Sequence, residues 1–152
     1  MYSRQIVVVN KDSGIENLDD LNGKRVAVQV TSKPEYILSN TNTPQVGVLY
    51  SMSTMEELYA SMRKGYVDAI AAHETSVQQY IKDYGAKIRI LDEAILTTGI
   101  GVAFPENTDS ELPEKLTEIF KEMRKDGSEE KILKKYLPET SGYLEVDKIE
   151  NN

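Results

Sequence analysis

Residues 25–34 read Arg-Val-Ala-Val-Gln-Val-Thr-Ser-Lys-Pro, and their character changes abruptly after Val30. The β-branched run through Val26, Val28 and Val30 is that of a strand buried on both faces. Thr31, Ser32 and Lys33 then form a polar turn. Pro34 follows at a helix's first position, where its missing N–H has no intrahelical partner to lose. Tyr36, Ile37 and Leu38 continue that helix. The stretch is a strand, a turn and a helix, and it sets the pattern for its neighbours.

Downstream the unit recurs. Residues 46–50 read as a strand, and Ser53 with Glu56 as the capping box of a helix. Met55, Leu58, Tyr59 and Met62 line one face of that helix, and Gly65 ends it. Residues 67–72 form the next strand; Thr75 or Ser76 opens a helix through Val77, Tyr80, Ile81 and Tyr84 that stops at Gly85. Upstream, Ile6, Val7, Val8 and Val9 make another buried strand, and Asn17 caps a short turn that Gly23 closes. Further strands are expected at 88–91 and 100–104. Short apolar strands alternating with capped helices predict an α/β domain with a mostly parallel sheet.

After Pro105 the pattern becomes helical. Residues 110–126 predict one amphipathic helix with Leu112, Leu116, Ile119, Phe120 and Met123 on its apolar side, ended by Gly127. A last helix runs from Ser128 through Ile132, Leu133, Tyr136 and Leu137 to Pro138. Residues 139–152 are polar and weakly patterned, and read as a tail or linker.

The composition narrows the function classes. The 152 residues include no Cys, no Trp and one His, with a formal net charge of −7, as expected of one soluble domain. The acidic balance opposes nucleic-acid binding, which needs clustered cations to displace counterions. Without Cys there is no disulfide scaffold or thiol nucleophile, and His73 alone cannot form a His-pair metal site. No nucleophile elbow or phosphate-cradling Gly motif occurs. Asp19 and Asp20 sit at a helix start, where the positive dipole end explains them without chemistry. Asp68 begins its strand and is expected to accept backbone hydrogen bonds from the preceding turn. No apolar run could span a bilayer, and residues 1–10 lack the features of a signal peptide. As given, the chain is expected to be cytoplasmic or cut from a longer exported protein.

Three segments, in order, carry a resemblance: IENLDDLNGKRVAVQ at 15–29, MEELYASMRKGYVDAIAAHE at 55–74, and GVAFPENTDSEL at 101–112 with KDGSEEKILKKYL at 125–137. Together they resemble the extracytoplasmic solute-binding proteins of ABC importers, in particular the amino-acid-binding group. The resemblance implies a type II periplasmic-binding-protein lobe over residues 1–138, the second of two, with the first lobe absent. Residues 14–96 would be the lobe core, 5–10 and 100–104 the hinge strands, and 110–137 helices that normally pack on the first lobe. Such a half-cleft is either excised from a longer protein or a natural reduced form.

It further implies a non-enzymatic protein, without metal or cofactor, that binds a small polar solute such as an amino acid. Its partner is a membrane permease, with no nucleic acid involved. The setting is periplasmic or extracellular, membrane-anchored in the parent protein. A homodimer through the surface left bare by the missing lobe is also expected. The residues implied at the ligand are Gln29, Thr31, Ser32, Lys33, Tyr50, His73 and Glu74. Two departures accompany this set. The family's turn carries a Gly where Val30-Thr31-Ser32-Lys33 has none, and its ammonium-binding Asp is replaced by His73, with Glu74 one place later. Other readings of these residues are that Thr31 or Ser32 simply caps the Pro34 helix and His73 the next one. At the level of function, a ligand-sensing module of a signalling protein is an alternative. So is a cyclohexadienyl dehydratase-like enzyme with His73 and Glu74 as its acid–base candidates.

Overall fold

The computed structural model describes residues 1–40, 44–108, 111–137 and 140–144, in two compact units, residues 4–97 and residues 1–3 with 98–152. The first unit holds the expected lobe core together with most of the first strand.

Five strands form its sheet: β1 (Tyr2–Asn10), β2 (Arg25–Gln29), β3 (Val48–Met52), β4 (Ala69–His73) and β5 (Ile88–Gly99), in the order β3-β2-β4-β1-β5. β2 runs parallel to both β3 and β4, whereas β1 is antiparallel to β4 with Gln5 opposite His73. The helices between them are α1 (Lys33–Asn40), α2 (Met55–Arg63) and α3 (Glu74–Tyr84).

Because strand side chains alternate, each buried strand feeds two cores. Ile6, Val8, Ala27, Ile70 and Ala72 pack with Leu58, Tyr59, Met62 and Val77 of α2 and α3. Val7, Val9, Val26, Val28, Ala69 and Ala71 pack on the other face with Ile15, Leu21, Leu38 and Leu91. Helices on both faces explain why these strands read as continuous apolar runs. Within the first core, Tyr59 and Tyr80 stack with ring centroids 3.5 Å apart, and burial pushes the Tyr59 hydroxyl's pKa upward. Bare backbone matters at Gly47: a Cβ there would run into the Gly23 carbonyl, and the Gly47 N–H donates to the Lys24 carbonyl at 2.8 Å.

Several element ends differ from expectation. The box that caps α2 is Thr54 with Glu57, one residue beyond Ser53 and Glu56. Both pairs satisfy the same spacing, so sequence alone does not choose between them. α3 begins at Glu74 with His73 as its N-cap, earlier than Thr75 or Ser76, and Gly85 ends it with φ 57°. The strand expected at 88–91 continues to Gly99, through the exposed Asp92 and Glu93. β5 lies at the sheet's edge, where charged side chains can face solvent. Residues 100–104 are not a strand. The glycines at 99 and 101 flank the place where pairing ends.

In the other unit, α4 (Glu111–Lys125) and α5 (Ser128–Leu133) form the expected pair, with Gly127 in the left-handed conformation between them. No residue of α4 is fully buried. Leu116 and Phe120 border a groove of about 550 Å³ with Met1, Val102 and Phe104. The helix start expected at Ser110, the end expected at Pro138 and residues 145–152 of the expected tail lie outside the described residues. Part of that tail is structured: Ser141–Leu144 form a short helix, α6, and Tyr143 is buried. One aromatic side chain among polar neighbours offers too little periodicity to reveal such an element.

Candidate functional site

In a parallel pair, both strands finish at the same edge. The register of Val28 opposite Ala71 brings the ends of β2 and β4 side by side, so the turn after Gln29 and the residue His73 meet. The antiparallel β1 contributes Gln5 at that same edge, opposite His73. A cavity of about 190 Å³ opens there. Its polar lining is Gln5, Gln29, Ser32, Lys33, His73 and Ser76, above Pro34, Met55, Ala71 and Ala72.

Each polar group is positioned by its element. The Ser32 hydroxyl accepts the Glu35 N–H at 3.3 Å, which fixes the start of α1. The Gln29 amide nitrogen donates to the Ser53 carbonyl at 3.3 Å, tying the end of β2 to the segment before α2. The Lys33 ammonium lies 5.0 Å from the centre of the exposed Tyr36 ring. His73 Nδ1 accepts the Thr75 N–H at 3.3 Å and sits 2.7 Å from the Thr75 hydroxyl.

Four implied ligand residues therefore share one cavity: Gln29, Ser32, Lys33 and His73. Three do not line it. Thr31 is exposed with φ 59°, an unusual conformation for a β-branched residue, and its hydroxyl donates to the Val30 carbonyl at 2.7 Å. Its N–H donates to Glu35 Oε2 at 2.6 Å. Tyr50 is the middle residue of β3, opposite Ala27, and not the strand's last. Glu74 is buried, with Oε1 3.3 Å from Arg4 Nη1, because α3 starts at this residue and turns its side chain toward β1. Of the two acid–base candidates, only His73 reaches the cavity.

Gln5 and Ser76 line the site without having been assigned to it by sequence reasoning. Ser76 was legible only as a helix start. Nothing in the local sequence marks Gln5, because its place depends on the register of β1 against β4. Asp68 lies at the opposite end of the strands and accepts from Arg25 of the neighbouring strand, not from the preceding turn. Among the described residues, no group of His, Asp and Glu is arranged to hold a metal ion, and no helix is long and apolar enough to cross a membrane.

Residues 2–150 match the family model described as "ABC transporter, phosphonate, periplasmic substrate-binding protein". The chain is 33% identical over 140 residues to the histidine-binding periplasmic protein of Escherichia coli K12, covering 86% of this chain and 53% of that one. It is 31% identical over 137 residues to the arginine-binding extracellular protein ArtP of Bacillus subtilis, covering 88% and 52%. It therefore spans about half the length of these curated relatives. In fold it is similar to the second substrate-binding domain of a Streptococcus pneumoniae protein assigned to amino acid ABC transport. That match has TM-score 0.72 and 24% identity, over 90% of this chain and 62% of that one. With a type II periplasmic-binding-protein architecture and a family match over nearly its whole length, the chain belongs to the periplasmic substrate-binding proteins of ABC transporters.

Proposed function

We propose that the chain is an amino-acid-binding lobe of an ABC import system, holding one end of its solute in the cavity beyond β2 and β4. The observation that carries this reading is the convergence of Lys33, Ser32, Gln29 and His73 on one cavity at the carboxyl edge of a parallel sheet. Open α/β sheets bind ligands at that edge. Relatives named for histidine and arginine binding support an amino acid as the solute. The phosphonate in the family description shares with an amino acid an anionic head group, which a Lys ammonium and hydroxyl donors suit.

Import would proceed by closure of this lobe and a companion lobe around the solute, and a membrane permease would recognise the closed form. The periplasmic family supports a setting outside the cytoplasm. A lobe by itself supplies only part of the contacts. If a micromolar site is worth about −8.2 kcal/mol, half of that is about −4.1 kcal/mol, a millimolar affinity.

The test is an amide-resolved NMR titration of this chain with glycine, histidine and arginine. Saturable millimolar shifts at residues 29–33 and 73–76 are expected. The absence of shifts there with every amino acid tried would refute the reading, and so would micromolar affinity, which a half-site could not supply.

A further inference from the structure

We propose that Gln5 and Ser76 form a second polar contact in this cavity, which selects the solute for an uncharged group that both donates and accepts hydrogen bonds. An amide or a hydroxyl is such a group. This rests on the solute-binding reading of the site and narrows the class of solute. Other polar groups of the lining are engaged by the fold itself. Gln29 donates to the Ser53 carbonyl, Ser32 accepts the Glu35 N–H, and His73 Nδ1 accepts the Thr75 N–H. Gln5 and Ser76 differ: both line the cavity, and neither side chain makes a hydrogen bond among the described residues. Gln5 is half-buried, so its unmatched amide carries a cost that a bound group can recover.

Alternation puts Gln5 on the face of β1 that carries Val7 and Val9, both buried in one core with Val28, Ala69 and Ala71. The apolar row turns polar at Gln5, where the strand reaches the cavity. Opposed residues of an antiparallel pair lie side by side on one face, which sets Gln5 next to His73. Ser76, exposed in the first turn of α3, follows close behind His73. The charges around this corner are balanced or face solvent. Arg4, which precedes Gln5, pairs with Glu74, which follows His73, at 3.3 Å. Glu56, next to the lining Met55, is exposed, and the Lys33 ammonium lies by the Tyr36 ring at the start of α1. A side-chain amide offers an acceptor and two donors, and a hydroxyl takes both roles. A neutral solute group with the same two roles is matched partner for partner, whereas a charged group set against Gln5 would exchange its hydration for uncharged partners.

Asparagine and leucine, whose side chains share a shape but not a polarity, are the probes. Each is titrated into the labelled chain and followed by the amide signals of residues 29–33 and 73–76. Asparagine should bind about fivefold more tightly than leucine, as expected for one or two neutral hydrogen bonds. Gln5→Leu continues the apolar row of β1 and should bring the two affinities to within about twofold of each other. Ser76→Ala, at an exposed helix position, should narrow the ratio to about threefold, and it decides the matter if Gln5→Leu does not fold. Equal affinity for asparagine and leucine in the unaltered chain would overturn the proposal and leave the solute-binding reading intact. A preference for asparagine that survives both substitutions undiminished would do the same. No shift at those residues with either amino acid, or with glycine, histidine and arginine, would remove the solute-binding reading and the proposal with it.

Discussion

Arg25 and Asp68 lie side by side at the amino ends of β2 and β4, joined by four hydrogen bonds. Arg25 Nη2 donates to Oδ1 at 2.7 Å, while Nε and the backbone N–H donate to Oδ2 at 3.1 and 2.9 Å. The Asp68 N–H returns a bond to the Arg25 carbonyl at 2.8 Å. The pair pins the register of two parallel strands at the end remote from the cavity, so the ends that build the cavity stay aligned.

The hydrogen bonds from Arg25 hold the Asp68 pKa below its ordinary value of 3.8. The unfolded chain therefore takes up this proton first as pH falls. The carboxylate's contribution is full above the ordinary carboxylate range and is lost as pH drops through the depressed folded value. Asp68→Asn is expected to lower the denaturation midpoint at neutral pH and to match the parent protein in strong acid. Urea unfolding curves across that range check this, and a difference independent of pH would contradict it.

Thr31 occupies the left-handed region at φ 59°. Replacement by Asn, which tolerates that conformation, should stabilise the fold by about 0.5–1 kcal/mol. Thr31→Gly should gain less, since glycine loses more chain entropy on folding. Thermal unfolding of both variants is the measurement; a loss of stability in Thr31→Asn would show that the turn is not strained.

His73 caps α3 through Nδ1. His73→Ala is expected to cost about 1 kcal/mol, and His73→Asn, which supplies a side-chain oxygen, should recover most of it. Equal stability of the two variants by chemical denaturation would argue that the cap contributes nothing.

Glu74 is almost fully buried, and its ion pair with Arg4 joins β1 to the start of α3. Arg4 also donates to the Asp92 carbonyl at 3.1 Å, on β5. Removing the guanidinium in Arg4→Met takes the ion-pair partner from a buried carboxylate, at a cost of about 3–5 kcal/mol. Adding Glu74→Gln should restore part of that stability. A double variant less stable than Arg4→Met alone would exclude this account.

The fold was legible where local rules agree with the tertiary outcome. Val26 to Val28, Ile6 to Val9 and the 69–72 run announce strands covered on both faces, and Gly85 and Gly127 announce helix ends. Legibility failed where the partner decides. Nothing local to Asp92 and Glu93 says that an edge strand continues through them, and Thr54 cannot be preferred over Ser53 by spacing. The site divides in the same way. Ser32, Lys33 and His73 follow from strand ends, which a sequence marks. Glu74 lies off the cavity because a helix that starts at this residue turns its side chain toward β1, and Gln5 depends on a strand register that only assembly fixes.

That register, Gln5 opposite His73, makes the pocket a long-range product of folding. Its walls come from the beginning, middle and later parts of the unit, so no contiguous segment emerging during synthesis could hold a solute. Occupancy should consequently slow hydrogen exchange across β1 as well as beside the ligand, because a molecule bound only by the assembled sheet draws the entire unit away from its open states.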